Sequence, residues 1–210
     1  MFRVLAAGLV LGFAVAASPG PVWFLCARRT LDRGWGSGLA SGLGVATVDG
    51  FYAAVAAFGL AAIAAAAARE GVWLRLAGGA VLLLIGLRLA IASPTRREAA
   101  SGGSLRLAGD YASMVALTLT NPTTILTFAA LGAGLGLTAR QGFVPALVLL
   151  VGVGLGSAAW WAVLAAVMNR LRHRLGSRTL RFVSVAAGAV ICVFGLVAIA
   201  PALAELPLRL

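Results

Sequence analysis

One carboxylate, Asp49, lies deep inside an apolar stretch and far along the chain from either cluster of arginines. Holding a charged group in hydrocarbon costs at least a few kcal/mol, so such residues usually face a cavity and carry a proton or pair with a cation. The blander alternative is a structural Asp hydrogen-bonded to a neighbouring broken helix. Two further groups stand out in runs that otherwise read as continuous helix: Ser18-Pro19-Gly20-Pro21 and Thr120-Asn121-Pro122-Thr123. Proline removes a backbone donor and clashes with the preceding turn, while glycine relaxes the helical constraint. The freed carbonyls and amides must then be satisfied by neighbours, water or a ligand. A lone proline would more simply be read as a kink; two breaks at matching places point to function. Cys26 and Cys192 lack CxxC spacing and read as small apolar side chains. His173 sits in an arginine-rich stretch and reads as a solvated neighbour of lipid headgroups.

These residues need elements to position them, and composition says which kind. Of 210 residues, 61% are hydrophobic and 11% charged, with a mean hydropathy of +1.02. A soluble domain would carry about a quarter charged residues. So few charges cannot clothe a globule in water, and lipid must be the solvent. All 17 basic residues are arginine, giving a formal net charge of +11. They lie between apolar runs rather than on one soluble face, which argues against nucleic acid and for topology signals and headgroup anchors.

A spanning helix needs roughly 20 apolar residues. Six segments qualify: Val4–Ala27, Gly38–Ala68, Gly71–Ala92, Tyr111–Gly136, Gly142–Met168 and Leu180–Ala204. Between them lie Arg28–Ser37, a tight break at Arg69–Glu70, a short turn at Leu137–Gln141 and Asn169–Thr179. The remaining stretch, Ser93–Asp110, is the one true linker, marked by its Pro, Gly, Ser and charges. The expected fold is therefore an all-α polytopic membrane protein with six transmembrane helices as two inverted three-helix repeats. Residues 1–92 form the first repeat, 93–110 a cytoplasmic linker and 111–210 the second repeat. Twelve arginines fall on the linker's side and five on the other, placing the linker in the cytoplasm and both termini outside. The first segment also resembles a signal peptide, with a cleavage site near Ala14–Ala17. Its apolar run continues through Val22–Ala27, so retention as a span is the expectation.

Trp35 and Trp73 read as interfacial anchors, Trp160 and Trp161 as deeper packing residues, and Gly34, Gly38 and Gly42 as a small-residue packing face. Interrupted helices in matching positions of inverted halves are the best sequence pointer to a transporter's midplane site. Four other classes fit less well. A metal exporter would want several intramembrane His, Cys, Asp or Glu ligands, and a thiol-redox carrier would want cysteines in comparable positions of both halves. A hydrolase would need a nucleophile and base pair, and no candidate base other than Asp49 exists. A scaffold would have no use for two matched breaks.

The string ASPGPVWFLCARRTLDRGWGSGLASGLGVATVDGFYAAVAAFGL (Ala17–Leu60) resembles the N-terminal half of the LysE/RhtB family of amino-acid exporters. The shared features are Pro19-Gly20-Pro21, the basic stretch Arg28–Arg33, the glycines from Gly38 to Gly44, and Asp49. NPTTILTFAALGAGL (Asn121–Leu135) resembles the family's Asn-Pro segment, although Thr123 stands where many members have lysine. The resemblance implies export of amino acids or related small metabolites across a bacterial cytoplasmic (inner) membrane, driven by the proton gradient, with no cofactor and no enzymatic activity. Its pathway would run past Ser18, Pro19, Gly20, Pro21, Asp49, Asn121, Pro122 and Thr123. The expected partners are a small amino-acid substrate, a bilayer with anionic headgroups and, open at this stage, a second copy of the chain.

Overall fold

The computed structural model describes residues 1–58, 71–91, 103–121, 123–125, 127–128, 130–131, 142–172 and 174–205. Within them the regular elements are helices: α1 (Phe2–Ala17), α2 (Pro21–Arg33), α3 (Trp35–Ala57), α4 (Gly71–Ile91), α5 (Ser104–Leu119), α6 (Phe143–Arg172) and α7 (Ser177–Glu205). Helical backbone also resumes at Thr123 and is seen as far as Leu131. Pro122, His173, the break at Arg69–Glu70, the turn at Leu137–Gln141 and most of the linker lie outside the described residues. Helices α3 and α6, and α7 from Arg178, are long and apolar enough to cross a membrane. The bent pair α1–α2 makes a fourth crossing when taken as one broken span, and α4 carries a shorter apolar stretch, Leu76–Arg88.

Local chemistry explains the bend. The residue before a proline is pushed out of the helical region, and Ser18 is extended at φ −64°, ψ 124°. Its hydroxyl turns back to donate to Ala14 O at 3.3 Å. Gly20 is extended as well, and Pro21 then opens α2 at the first helical position, where its missing N–H costs nothing. The two helices meet at 79°. Arg28–Arg33, expected in a loop, is therefore the second half of α2. That helix stops at Gly34, whose φ of +90° lies where side chains are strained. A Cβ there would also come within 2.7 Å of Arg172 Nη1. Other boundaries shift too. The linker's last residues already belong to α5, which begins at Ser104, and α6 runs on through Asn169 to Arg172.

The helices cross in a reciprocal pattern. Helix α1 packs along α6, α5 along α3, α3 against α6, and α4 against α7. Small residues let the backbones approach, as membrane helices require in the absence of a hydrophobic drive. A Cβ on Gly8 would sit 3.0 Å from Gly152 Cα, and one on Gly86 would sit 2.7 Å from Gly188 O. One apolar cluster, including Ala16, Val22, Val45, Met114, Trp161 and Leu164, joins both sides of the first break to α3, α5 and α6.

Candidate functional site

Asp49 sits where α3 crosses α6. It is 3% exposed and accepts a 2.6 Å hydrogen bond from the Ser157 hydroxyl. One residue further on, Gly50 presents no side chain, and a Cβ there would meet Gly154 Cα at 4.0 Å. The donor that holds Asp49 thus comes from the unbroken α6 rather than from a broken helix. Among the described residues the Ser157 hydroxyl is the donor to this carboxylate, whose burial makes such a partner necessary.

The second break adjoins the same stretch of α3. Tyr52, one turn beyond Asp49, donates its hydroxyl to Leu119 O at 2.7 Å, capping the end of α5. Asn121 is buried and accepts from the Thr123 amide at 3.1 Å, the short side-chain turn that restarts a helix after an interruption. Thr123 is exposed. The first break joins the crossing from the other direction. Phe13 packs edge-on to Trp160 with ring centroids 5.2 Å apart, and Ala16 shares a cluster with Leu164. Ser18 and Pro19 are exposed, Gly20 is half-buried, and Pro21 is buried.

These registers fix the order along the α3–α6 pair. The first break lies near Leu164, the Asp49–Ser157 bond near the centre, and the second break beyond Gly154. Along α6, Leu164 is seven residues from Ser157, on the order of 10 Å at the helical rise, whereas Tyr52, which caps the helix before the second break, is three residues from Asp49. Asp49 and Asn121 are held on adjoining elements. Ser18 and Pro19 do not touch either of them.

Sequence reasoning missed a second polar centre. Asp110, which reads as the end of a linker, is 4% exposed on α5. Arg33 Nη1 and the Ser37 hydroxyl each donate to its carboxylate at 2.6 Å, and Arg29 Nη1 lies 3.8 Å away. Arg29 also donates to Ser41 Oγ at 3.1 Å and to Asp110 O at 2.9 Å. Arg28 pairs with Asp32 one turn along α2 at 2.5 Å. These three arginines, expected to anchor headgroups, therefore bond within the protein. Nearby, the Trp35 amide donates to Asn169 Oδ1 at 3.1 Å, bringing the far end of α6 to the same level. The sequence signal for this centre is two arginines one helical turn apart and an acid that falls in the first half of another helix.

Two buried side chains on the helices packed against α3 have a polar atom without a partner: Trp161 Nε1 on α6, in a residue 3% exposed, and Thr118 Oγ1 on α5, in a residue fully buried. The indole nitrogen of Trp160 is in the same position. An unmade hydrogen bond on a buried group costs about 1–3 kcal/mol. Among the described residues no three His, Cys, Asp or Glu side chains gather as a metal site would need. Cys26 and Cys192 are free thiols.

The model of the LysE type translocator family matches residues 13–201 of the chain. No curated protein and no solved structure matches the chain significantly.

Proposed function

This chain belongs to the LysE type translocator family, and on that premise we propose that it exports amino acids or related small metabolites from the cytoplasm by proton antiport. The family is one of membrane transporters, and the apolar helices fit a multi-pass membrane protein. The observation that carries the reading is the placement of Asp49: a buried carboxylate at the crossing of two long helices, with a helix break to either side.

In this reading α1–α2 and the interrupted helix that starts with α5 are the broken first spans of two inverted three-span halves. The reciprocal packing supports it. Each half's first helix lies on the other half's long second helix, and the third helices pair through glycines spaced alike, Gly79 and Gly86 against Gly188 and Gly195. The breaks supply unpaired amides for a substrate carboxylate and carbonyls for its ammonium group. Asp49 takes a proton from outside, or the ammonium group from inside. Rocking of one half on the other across the α3–α6 crossing alternates access. The arginine-rich ends of α2 and α6 lie together and face the cytoplasm with the linker, which leaves both termini outside.

The test is transport by purified protein in proteoliposomes carrying an imposed pH gradient. Asp49→Asn is expected to insert normally and to lose proton-driven amino-acid efflux. Unchanged efflux by that variant would overturn the antiport role. Efflux of a metal ion or another solute, with no amino acid moved, would replace the substrate class.

A further inference from the structure

We infer that Trp161 and Thr118 are substrate-binding residues on either side of Asp49, and that the site they form takes an amino-acid zwitterion bearing a single positive charge. The inference rests on the amino-acid export reading and adds to it which groups read the substrate and what its side chain can be.

Placement comes first. Trp161 follows Ser157 by one turn of α6, about 6 Å along the axis, on the side of the first break. Its ring packs over Gly42 of α3, where any Cβ would overlap the Trp161 side chain. Thr118 is fully buried on the stripe of α5 that also holds Asp110, Met114 and Leu117. It stands just before the second break and one residue from the carbonyl that Tyr52 caps. Both polar atoms lack a partner, although buried donors in native cores are nearly always paired. Val45 and Ala46 of α3, which share an apolar cluster with Trp161, offer it no side-chain partner.

A zwitterion completes what is missing. Its ammonium group pairs with Asp49, and its carboxylate lies within about one helical turn, where the indole N–H can donate to it. The Thr118 hydroxyl can donate to the same carboxylate or accept from the ammonium group. Charge then limits the rest of the ligand. A lysine or arginine substrate would bring a second cation and need a second buried acid. The chain has six acidic residues. Asp32 and Asp110 are held by arginines, Glu205 ends α7, and Glu70 and Glu98 fall outside the apolar runs. With Asp49 paired to the ammonium group, the substrate side chain that this balance of charge admits is uncharged.

The experiment is counterflow in proteoliposomes with each of a panel of amino acids, followed by kinetics of two variants that each remove the polar atom. Wild type is expected to move amino acids with uncharged side chains and to discriminate at least tenfold against lysine and arginine. Trp161→Phe and Thr118→Val should each raise KM five- to fiftyfold with the maximal rate within about threefold of wild type. A purely structural role would instead lower the yield and unfolding temperature and leave the KM of the folded fraction unchanged. Wild-type KM in both variants overturns the assignment, as does a preference for basic amino acids, a result that needs no variant to fold. Movement of no amino acid at all overturns the exporter reading and this inference with it.

Discussion

Arg33 and Asp110, 77 residues apart in sequence, meet at 2.6 Å and fasten the helix beyond the first break to the helix that leads into the second. The pair is lopsided: the Arg33 side chain is 38% exposed, whereas that of Asp110 is 4%. Asp110 is therefore the costly partner to disturb. Asp110→Ala would leave two guanidinium groups and a serine facing an apolar gap, and breaking a buried pair this way costs about 3–5 kcal/mol. Arg33→Gln leaves Arg29 and Ser37 in place and should cost about 1 kcal/mol or less. Thermal unfolding of the two variants in the same detergent checks the order, and equal losses would show that Arg29 and Ser37 contribute little.

The approach of α1 to α6 gives a sharper packing test. A Cβ on Gly12 would overlap the carbonyl of Val153, and one on Gly156 would overlap that of Leu9. Gly12→Val should therefore push the helices apart and cost about 2–3 kcal/mol or more. Around Gly20 the space is open, and its φ of −156° is one any residue adopts. Gly20→Ala should fold within about 0.5 kcal/mol of wild type. Yield of monodisperse protein after extraction distinguishes the two variants.

At Gly34 the demand is conformational as well as steric. The backbone is at φ +90°, and Arg172 Nη1 closes the space beside it. Gly34→Ala should destabilise by about 1–3 kcal/mol. Trimming the arginine in Gly34→Ala/Arg172→Ala relieves the contact but not the strain, so the double variant should not recover wild-type stability. Full recovery, measured as unfolding temperature, would show that crowding was the whole effect.

How much of this could be read from the chain depended on how local the cause is. Pro19, Gly20 and Pro21 act on their own backbone, so the first break is visible in the residues themselves. The direction that α2 takes afterwards is not, because it is set by Arg29 and Arg33 finding Asp110 about 80 residues later. The same distance hides Asp110. Beside the glycines of the linker it reads as a solvated acid, and only the fold surrounds it with arginines. Asp49 is legible as a lone carboxylate among apolar residues, while its donor Ser157, 108 residues away, is one serine among glycines and alanines. Core packing is the natural expectation for Trp161 and agrees with its burial. That its N–H lacks a partner is a property of the neighbours, which no local pattern records.

The Asp49–Ser157 bond yields the last prediction. Ser157→Ala removes the donor hydrogen-bonded to a carboxylate in the middle of two packed helices, where no water-facing rotamer offers a replacement. The loss should be about 1–3 kcal/mol in stability. Exchange should also slow, because a carboxylate free to turn no longer presents its second oxygen in one direction. Ser157→Thr keeps the hydroxyl and adds one methyl beside the glycines of α6, so it should restore exchange even if a little stability is lost to crowding. Counterflow rate and unfolding temperature, measured on the same preparations, separate the two effects. If alanine and threonine variants lose exchange in proportion to their loss of stability, Ser157 only packs the crossing. If threonine restores exchange without restoring stability, the hydroxyl positions Asp49.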